Sequence, residues 1–294
     1  MNKRYDIIGF GEILLGLNLS KNVNNVSNAA VIKNQVLGLE LDVVAGVSAL
    51  GLKSGFISCL PRHNIRGQVL DYLRASSIAT DFVVLNKYED AKLGLYFSKE
   101  KPFPGKNDIV YNRKEAALNQ LDLNELPSTI YNNCKLFHTS GVNLSLSENI
   151  YNIGLELMRR FKQEGALVSF DVNFETNLWS EAEQKSALIK ILPYVDILFI
   201  SERILRRTTL PQTAALKELI RDYSLSFEIT TVVVVEQPRT KLKRSRLKQD
   251  PGFLIYQAQT DTFQPEPPNE GVQLSAEMNS REAYISGTLY NLLK

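Results

Sequence analysis

Lys135-Leu-Phe-His-Thr139 and Ala166-Leu-Val-Ser-Phe-Asp171, with the helical run Glu148–Glu164 between them, decide the fold. They read as strand, helix, strand, and the same alternation extends outward in both directions. Tyr5–Phe10 and Ser54–Leu60 read as buried strands. Leu41–Leu50 reads as a helix with small residues along one face, and Gly67–Ser76 as a helix with Val69, Leu70 and Leu73 at core spacing. Asp196–Ile200 and Thr230–Val235 continue the series. Strands that are apolar throughout, alternating with helices, predict an α/β fold: a mostly parallel sheet covered by helices on both faces.

Two stretches depart from this pattern. Ile13–Gln35 and Ala91–Tyr111 carry alternating residues, among them Leu93, Leu95 and Phe97, with Pro, Gly and Asn between them. They read as excursions from the sheet that pair into a small β-layer. Phe263-Gln-Pro-Glu-Pro-Pro-Asn-Glu-Gly271 is Pro-rich and is expected to be a surface loop.

Composition narrows the function classes. The chain has 294 residues, 44% apolar and 22% charged, with 34 basic against 32 acidic residues and a net charge of +2. No global field draws it to nucleic acid or membrane. The only concentrated charge, Arg239–Lys248, lacks interleaved aromatic residues and reads as a solvated loop, so nucleic-acid binding is not expected. Cys59 and Cys134 lie in apolar runs and are expected to be buried free thiols. His63 and His138 have no neighbouring Cys or His, so no zinc site is expected. The N-terminal residues show no signal-peptide pattern and no apolar run is long enough to span a bilayer, which makes the cytoplasm the expected location.

Several motifs carry a resemblance. Gly9-Phe-Gly-Glu-Ile-Leu-Leu15, Ala45–Pro61, Leu93-Gly-Leu-Tyr-Phe97, Val110-Tyr-Asn-Arg113, Phe137-His-Thr-Ser-Gly141, Asp171-Val-Asn-Phe174, Leu178-Trp-Ser180 and Pro193-Tyr-Val-Asp-Ile197 occur in that order. Together they resemble the ribokinase-like (PfkB) carbohydrate kinases, and within that family the 2-keto-3-deoxygluconate kinases. The resemblance runs from Tyr5 to about Leu205 and resumes more loosely from Gly252. It implies one ribokinase-like three-layer α/β sandwich over residues 1–294, with a small β-sheet lid from segments of about 13–35 and 91–113. It also implies ATP and Mg2+ as cofactors, a sugar or sugar-acid ligand, and pairing of two copies through the lid.

Compared with that family, the site residues are altered. The family's Gly-Gly turn and Asn-ending polar motif fall on Leu37-Gly38-Leu39-Glu40-Leu41-Asp42, so Asp42 offers only an acceptor where an amide offers both roles. A sugar acid would be repelled there. Tyr96, Tyr111 and Arg113 match positions that contact the sugar acid; the alternative reading is sheet packing for the tyrosines and a surface ion pair for the arginine. The family's Asp-x-Asn-x-Arg becomes Asp171-Val-Asn173-Phe-Glu175, with the sign at its last position reversed. The Asn-x-x-acid motif that supports magnesium falls on Ser201-Glu202-Arg203-Ile204, which lacks the final carboxylate; Glu202 is expected to point elsewhere.

The Gly-x-Gly-Asp signature falls on Asn279-Ser280-Arg281-Glu282. Glycines let a phosphate approach the backbone at a helix N-terminus, and the aspartate serves as the base. Here side chains fill that anion hole, and Glu282, the one candidate base, is a methylene longer. The alternative reading is a helix start capped by Asn279 or Ser280, with an acid in its first turn. Val235-Glu-Gln-Pro-Arg239 offers no glycine for a nucleotide loop, and the end at Lys294 leads to the expectation that the adenine side is incomplete. The expected function is a pseudokinase: a sugar-kinase-like protein without efficient phosphoryl transfer, acting as a binding or scaffolding subunit of a protein partner, with no certain cofactor and no metal. The alternative is a divergent carbohydrate kinase that uses Glu282 as base with ATP and Mg2+.

Overall fold

The computed structural model describes residues 3–19, 32–99, 108–209, 213–235, 253–266 and 280–294. In chain order the elements begin with β1 (Tyr5–Phe10), β2 (Leu14–Leu19), β3 (Ile32–Leu37), α1 (Leu39–Ala49), β4 (Ser54–Leu60) and α2 (Ile65–Ala75). Next come β5 (Ile78–Ala79), β6 (Val83–Leu85), β7 (Gly94–Lys99), β8 (Asp108–Asn112), β9 (Cys134–Ser140), α3 (Gly141–Leu144) and α4 (Glu148–Gln163). The chain continues through β10 (Leu167–Asp171), α5 (Glu181–Ile191), β11 (Ile197–Ser201), α6 (Glu202–Thr208), α7 (Leu216–Phe227) and β12 (Thr231–Val235). It ends with β13 (Phe253–Gln257), β14 (Thr262–Glu266) and α8 (Ser280–Leu293).

The large sheet runs β14-β13-β12-β11-β10-β9-β1-β4-β5, with β6 also pairing β4. From β12 to β5 every pair is parallel; β13 and β14 add an antiparallel edge. Period-two alternation distributes the strand residues between two apolar layers. Leu198 and Ile200 of β11 join Val232 and Val234 of β12 on one face, above α4, α5 and α7. Ile197, Phe199 and Val233 join the opposite layer with residues of α1, α2 and α8. The result is the three-layer arrangement expected from the alternation. Cys59 and Cys134 are buried free thiols within it.

A second sheet, β3-β2-β7-β8, is built from the two excursions. The expectation for Phe263–Gly271 needs correction: Phe263 to Glu266 lie in β14, where Pro265 pairs opposite Leu254. Proline lacks an N–H but is tolerated on an edge strand, whose outer side has no ladder partner. Residues 267–271 and the basic run Arg239–Lys248 lie outside the described residues. Among the described residues no helix is long and apolar enough to cross a membrane.

Candidate functional site

The site lies where the carboxyl ends of β1, β9 and β10 meet the small sheet, the position at which parallel α/β sheets generally receive ligands. A cavity of about 220 Å³ opens there. Its lining includes Gly38, Asp42, Tyr96, Tyr111, Arg113 and Glu175 from the expected site, together with Glu12, Glu40, Asn143, Asn18 and Gln35.

Arg113, one residue beyond β8, sets the electrostatics. Its guanidinium is 3.5 Å from Glu12 and 3.1 Å from Glu175, and it lies 4.3 Å over the Tyr111 ring. Its side chain is only 10% exposed, so the reading of a surface ion pair is corrected. Tyr111 in turn meets Tyr96 edge-on, with ring centroids 5.2 Å apart. The arginine is enclosed because β8 delivers it under the small sheet, where two carboxylates from the body face it.

Glu40 and Asp42 occupy the first turn of α1, where the helix dipole favours negative charge. Burial nevertheless pushes the Glu40 carboxyl up to about 7, against the pull of a hydrogen bond from the Ser140 hydroxyl. Burial raises Asp42 to about 8, reinforced by the charges of Glu282 and Glu40. Glu12 is also held up to about 8 by burial, despite the attraction of Arg113. His138, within β9, is pushed down to about 4 by burial and contacts Ser169 of β10 at 3.0 Å.

Among the described residues, Glu12 also lies against each of the four places where the small sheet joins the body. It precedes β2 in the chain and its Oε2 faces Arg113, which follows β8. A Cβ added to Gly38, between β3 and α1, would lie 2.5 Å from the Glu12 carbonyl oxygen. One added to Gly94, the first residue of β7, would lie 2.7 Å from Glu12 Oε1. The backbone of Gly38 is extended, so its requirement is closeness and not strain. Gly38→Ala is therefore expected to destabilise the protein by about 1–3 kcal/mol, read by urea unfolding, because backbone has to shift.

Asp171 and Asn173 are not on the cavity wall. Asp171, at the end of β10, accepts a two-pronged ion pair from Arg281 of α8, with Arg281 Nε at 3.0 Å. Arg281 thus reaches across between the helix N-terminus and β10. Asn173 donates its backbone N–H to the Asp171 carbonyl at 2.8 Å. Glu282 sits in the first turn of α8, 4% exposed. Ser280 opens that helix, while Asn279 lies outside the described residues.

Glu12 and Glu40 were not singled out by sequence reasoning. The available signal was an acid flanked by buried apolar or glycine neighbours, in Gly11-Glu12-Ile13 and Leu39-Glu40-Leu41. A carboxylate in such a place needs a partner in the folded state.

Comparisons with known proteins give a consistent result. A family model described as pfkB family carbohydrate kinase matches residues 6–240. The 2-dehydro-3-deoxygalactonokinase of Haloferax volcanii is 26% identical over 229 residues, covering 78% of this chain and 70% of that protein. The 5-dehydro-2-deoxygluconokinase of Shouchella clausii is 25% identical over 201 residues, covering 68% of this chain but only 61% of its own length. The crystal structure of a putative 2-keto-3-deoxygluconate kinase from Enterococcus faecalis superposes with a TM-score of 0.80 at 18% identity, covering 98% of this chain and 85% of the other.

Proposed function

The chain belongs to the pfkB family of carbohydrate kinases, and from that premise we propose that it has kept the ligand pocket beneath the small sheet and lost efficient phosphoryl transfer. It would then serve as a pseudokinase, a binding or scaffolding subunit. The observation that carries this reading is the Arg281–Asp171 ion pair. An anion hole at a helix N-terminus works by letting backbone N–H groups approach the phosphoryl oxygens. A side chain that crosses this opening to a carboxylate on the facing strand obstructs that approach and has its own charge already matched.

The residues at the magnesium-supporting positions do not fit that role. Ser201 accepts from the Ile204 N–H as the cap of α6, Ile204 packs against the apolar core, and Glu202 is paired with Arg206 at 2.8 Å. Hard cations favour several carboxylate oxygens, and here the one carboxylate is ion-paired while the last position is an aliphatic side chain. Arg113 is likewise engaged by two carboxylates, which weakens the case for a sugar acid as ligand.

A second reading is a divergent kinase with Glu282 as base and Arg113 and Arg281 as anion clamps. It is favoured by the placement of Glu282, whose charge raises the proton affinity of Asp42 on the pocket wall. Pairing of two copies through the small sheet is also proposed, supported by the exposed Phe97, Ile109 and Val110 on β7 and β8. A cytoplasmic location is in keeping with two buried free thiols.

Thermal unfolding with and without millimolar ATP–magnesium separates the two functional readings. A nucleotide at a hundred times its Kd would add about 2.7 kcal/mol of stability. No shift, and no ADP formed with 2-keto-3-deoxygluconate, is the expected result. A clear shift accompanied by sugar-dependent ADP formation would establish the kinase reading instead.

A further inference from the structure

Four carboxylates line the pocket, Glu12, Glu40, Asp42 and Glu175, and Arg113 is the one base among its described lining residues. That guanidinium already faces Glu12 and Glu175, so the wall keeps an excess of carboxyl groups over cations. Two acceptor atoms of lining residues, Glu12 Oε1 and Asn143 Oδ1, have no donor among the described residues. Both side chains are deeply buried, at 6% and 1% exposure.

The Asn143 amide cannot turn around. Its Nδ2 donates to the Phe10 carbonyl at 3.1 Å and to Thr139 Oγ1 at 3.2 Å, and a carbonyl only accepts. Oδ1 is thereby left as an acceptor. Buried acceptors without donors are costly, and a ligand that brings N–H groups removes that cost. No three acidic, histidine or cysteine side chains among the described residues are arranged to hold a metal ion. An organic cation fits better: a protonated amine offers three donors and no acceptor. Tyr96 and Tyr111 add aromatic rings beside it, and Asn18 and Gln35 add amides suited to hydroxyl groups.

We infer that the ligand is a polyhydroxylated compound bearing a protonated amine, an amino sugar or amino polyol, in place of a sugar acid. This rests on the reading that the pocket binds a small ligand. Burial holds Glu12 and Asp42 largely protonated near neutral pH, so docking of an ammonium group draws both down and releases protons.

The test uses three open-chain probes that differ only at C1: D-glucamine with an ammonium, D-sorbitol with a hydroxyl and D-gluconate with a carboxylate. Isothermal titration of the full chain at neutral pH is expected to give glucamine an affinity on the order of tenfold above sorbitol, with gluconate weakest. Repetition in two buffers of different ionisation enthalpy should reveal proton release with glucamine alone. Asp42→Asn, checked for a cooperative melting transition, is expected to lower glucamine affinity more than sorbitol affinity and so to remove the glucamine preference. Gluconate binding as tightly as glucamine, or no binding by any probe, overturns the inference. ADP formation with any probe would sink the loss of transfer while the charge ranking still stood, so the two failures are distinguishable.

Discussion

Arg113→Met is expected to lower the melting temperature by about 5–8 °C, corresponding to about 3–5 kcal/mol, because it removes the cation of a largely buried charge cluster. The methionine keeps the length and apolar contacts of the arginine stem over Tyr111. It leaves Glu12 and Glu175 facing each other with no cation between them. Glu12, already held up to about 8 by burial, loses the attraction of Arg113 that lowers it and stays protonated to higher pH beside Glu175. The penalty should therefore shrink in acid, and the gap between variant and parent should be smaller at pH 5.5 than at pH 8. Adding Glu12→Gln to the variant is expected to recover part of the loss by removing one of the stranded charges. Circular-dichroism melts at both pH values provide the measurement. A melting temperature within about 2 °C of the parent at both would show that the cluster contributes no stability.

The second large effect concerns the parent protein: its stability is expected to fall by several kcal/mol between about pH 6.5 and pH 8.5. Glu12 and Asp42 are held up to about 8 and Glu40 to about 7, all chiefly by burial. In the unfolded chain the same groups ionise near their ordinary values, about 4. Across the interval between, the folded state binds more protons, so stability declines as pH rises. Their contribution is fully present below the unfolded values and is lost as pH climbs through 7 to 8.

His138 has the opposite sign. Burial depresses it to about 4, so its contribution is lost as pH falls from about 6.5 through 4. The two effects oppose each other below about pH 6.5, and the steep limb lies on the alkaline side. Urea midpoints at pH 6.5, 7.5 and 8.5 measure the slope, and Glu12→Gln should flatten it. A profile that is level or rising across this window would contradict the assigned proton affinities.

The strands were readable because their apolar residues run without interruption, and that continuity is what a sheet covered on both faces requires. The β13–β14 edge was not. Its residues Thr262-Phe-Gln-Pro-Glu266 contain a proline and polar groups that suit an exposed edge as well as a loop. Local composition does not separate the two; the partner strand does. In the site, Tyr96, Tyr111, Arg113, Asp42 and Glu175 were reached through the resemblance, and the charge reversal at Glu175 was visible in the sequence. The partner of Arg113 was not, because Glu12 is 101 residues away and sits in an apolar run. The Arg281–Asp171 pair spans 110 residues, beyond any local pattern. Charge pairs of this kind are set by topology, which brings the end of β10 opposite the start of α8.

The junctions around Glu12 have a mechanical consequence. Among the described residues, each of the four covalent connections between the small sheet and the body passes within contact of this one residue, through its carbonyl, its two carboxylate oxygens or its own chain. A change in its protonation acts directly at the two supports that meet its carboxylate, the start of β7 at Gly94 and the exit from β8 at Arg113. Glu12 thus joins the pocket wall to the supports of its roof: the carboxylate that faces Arg113 also abuts the first residue of β7.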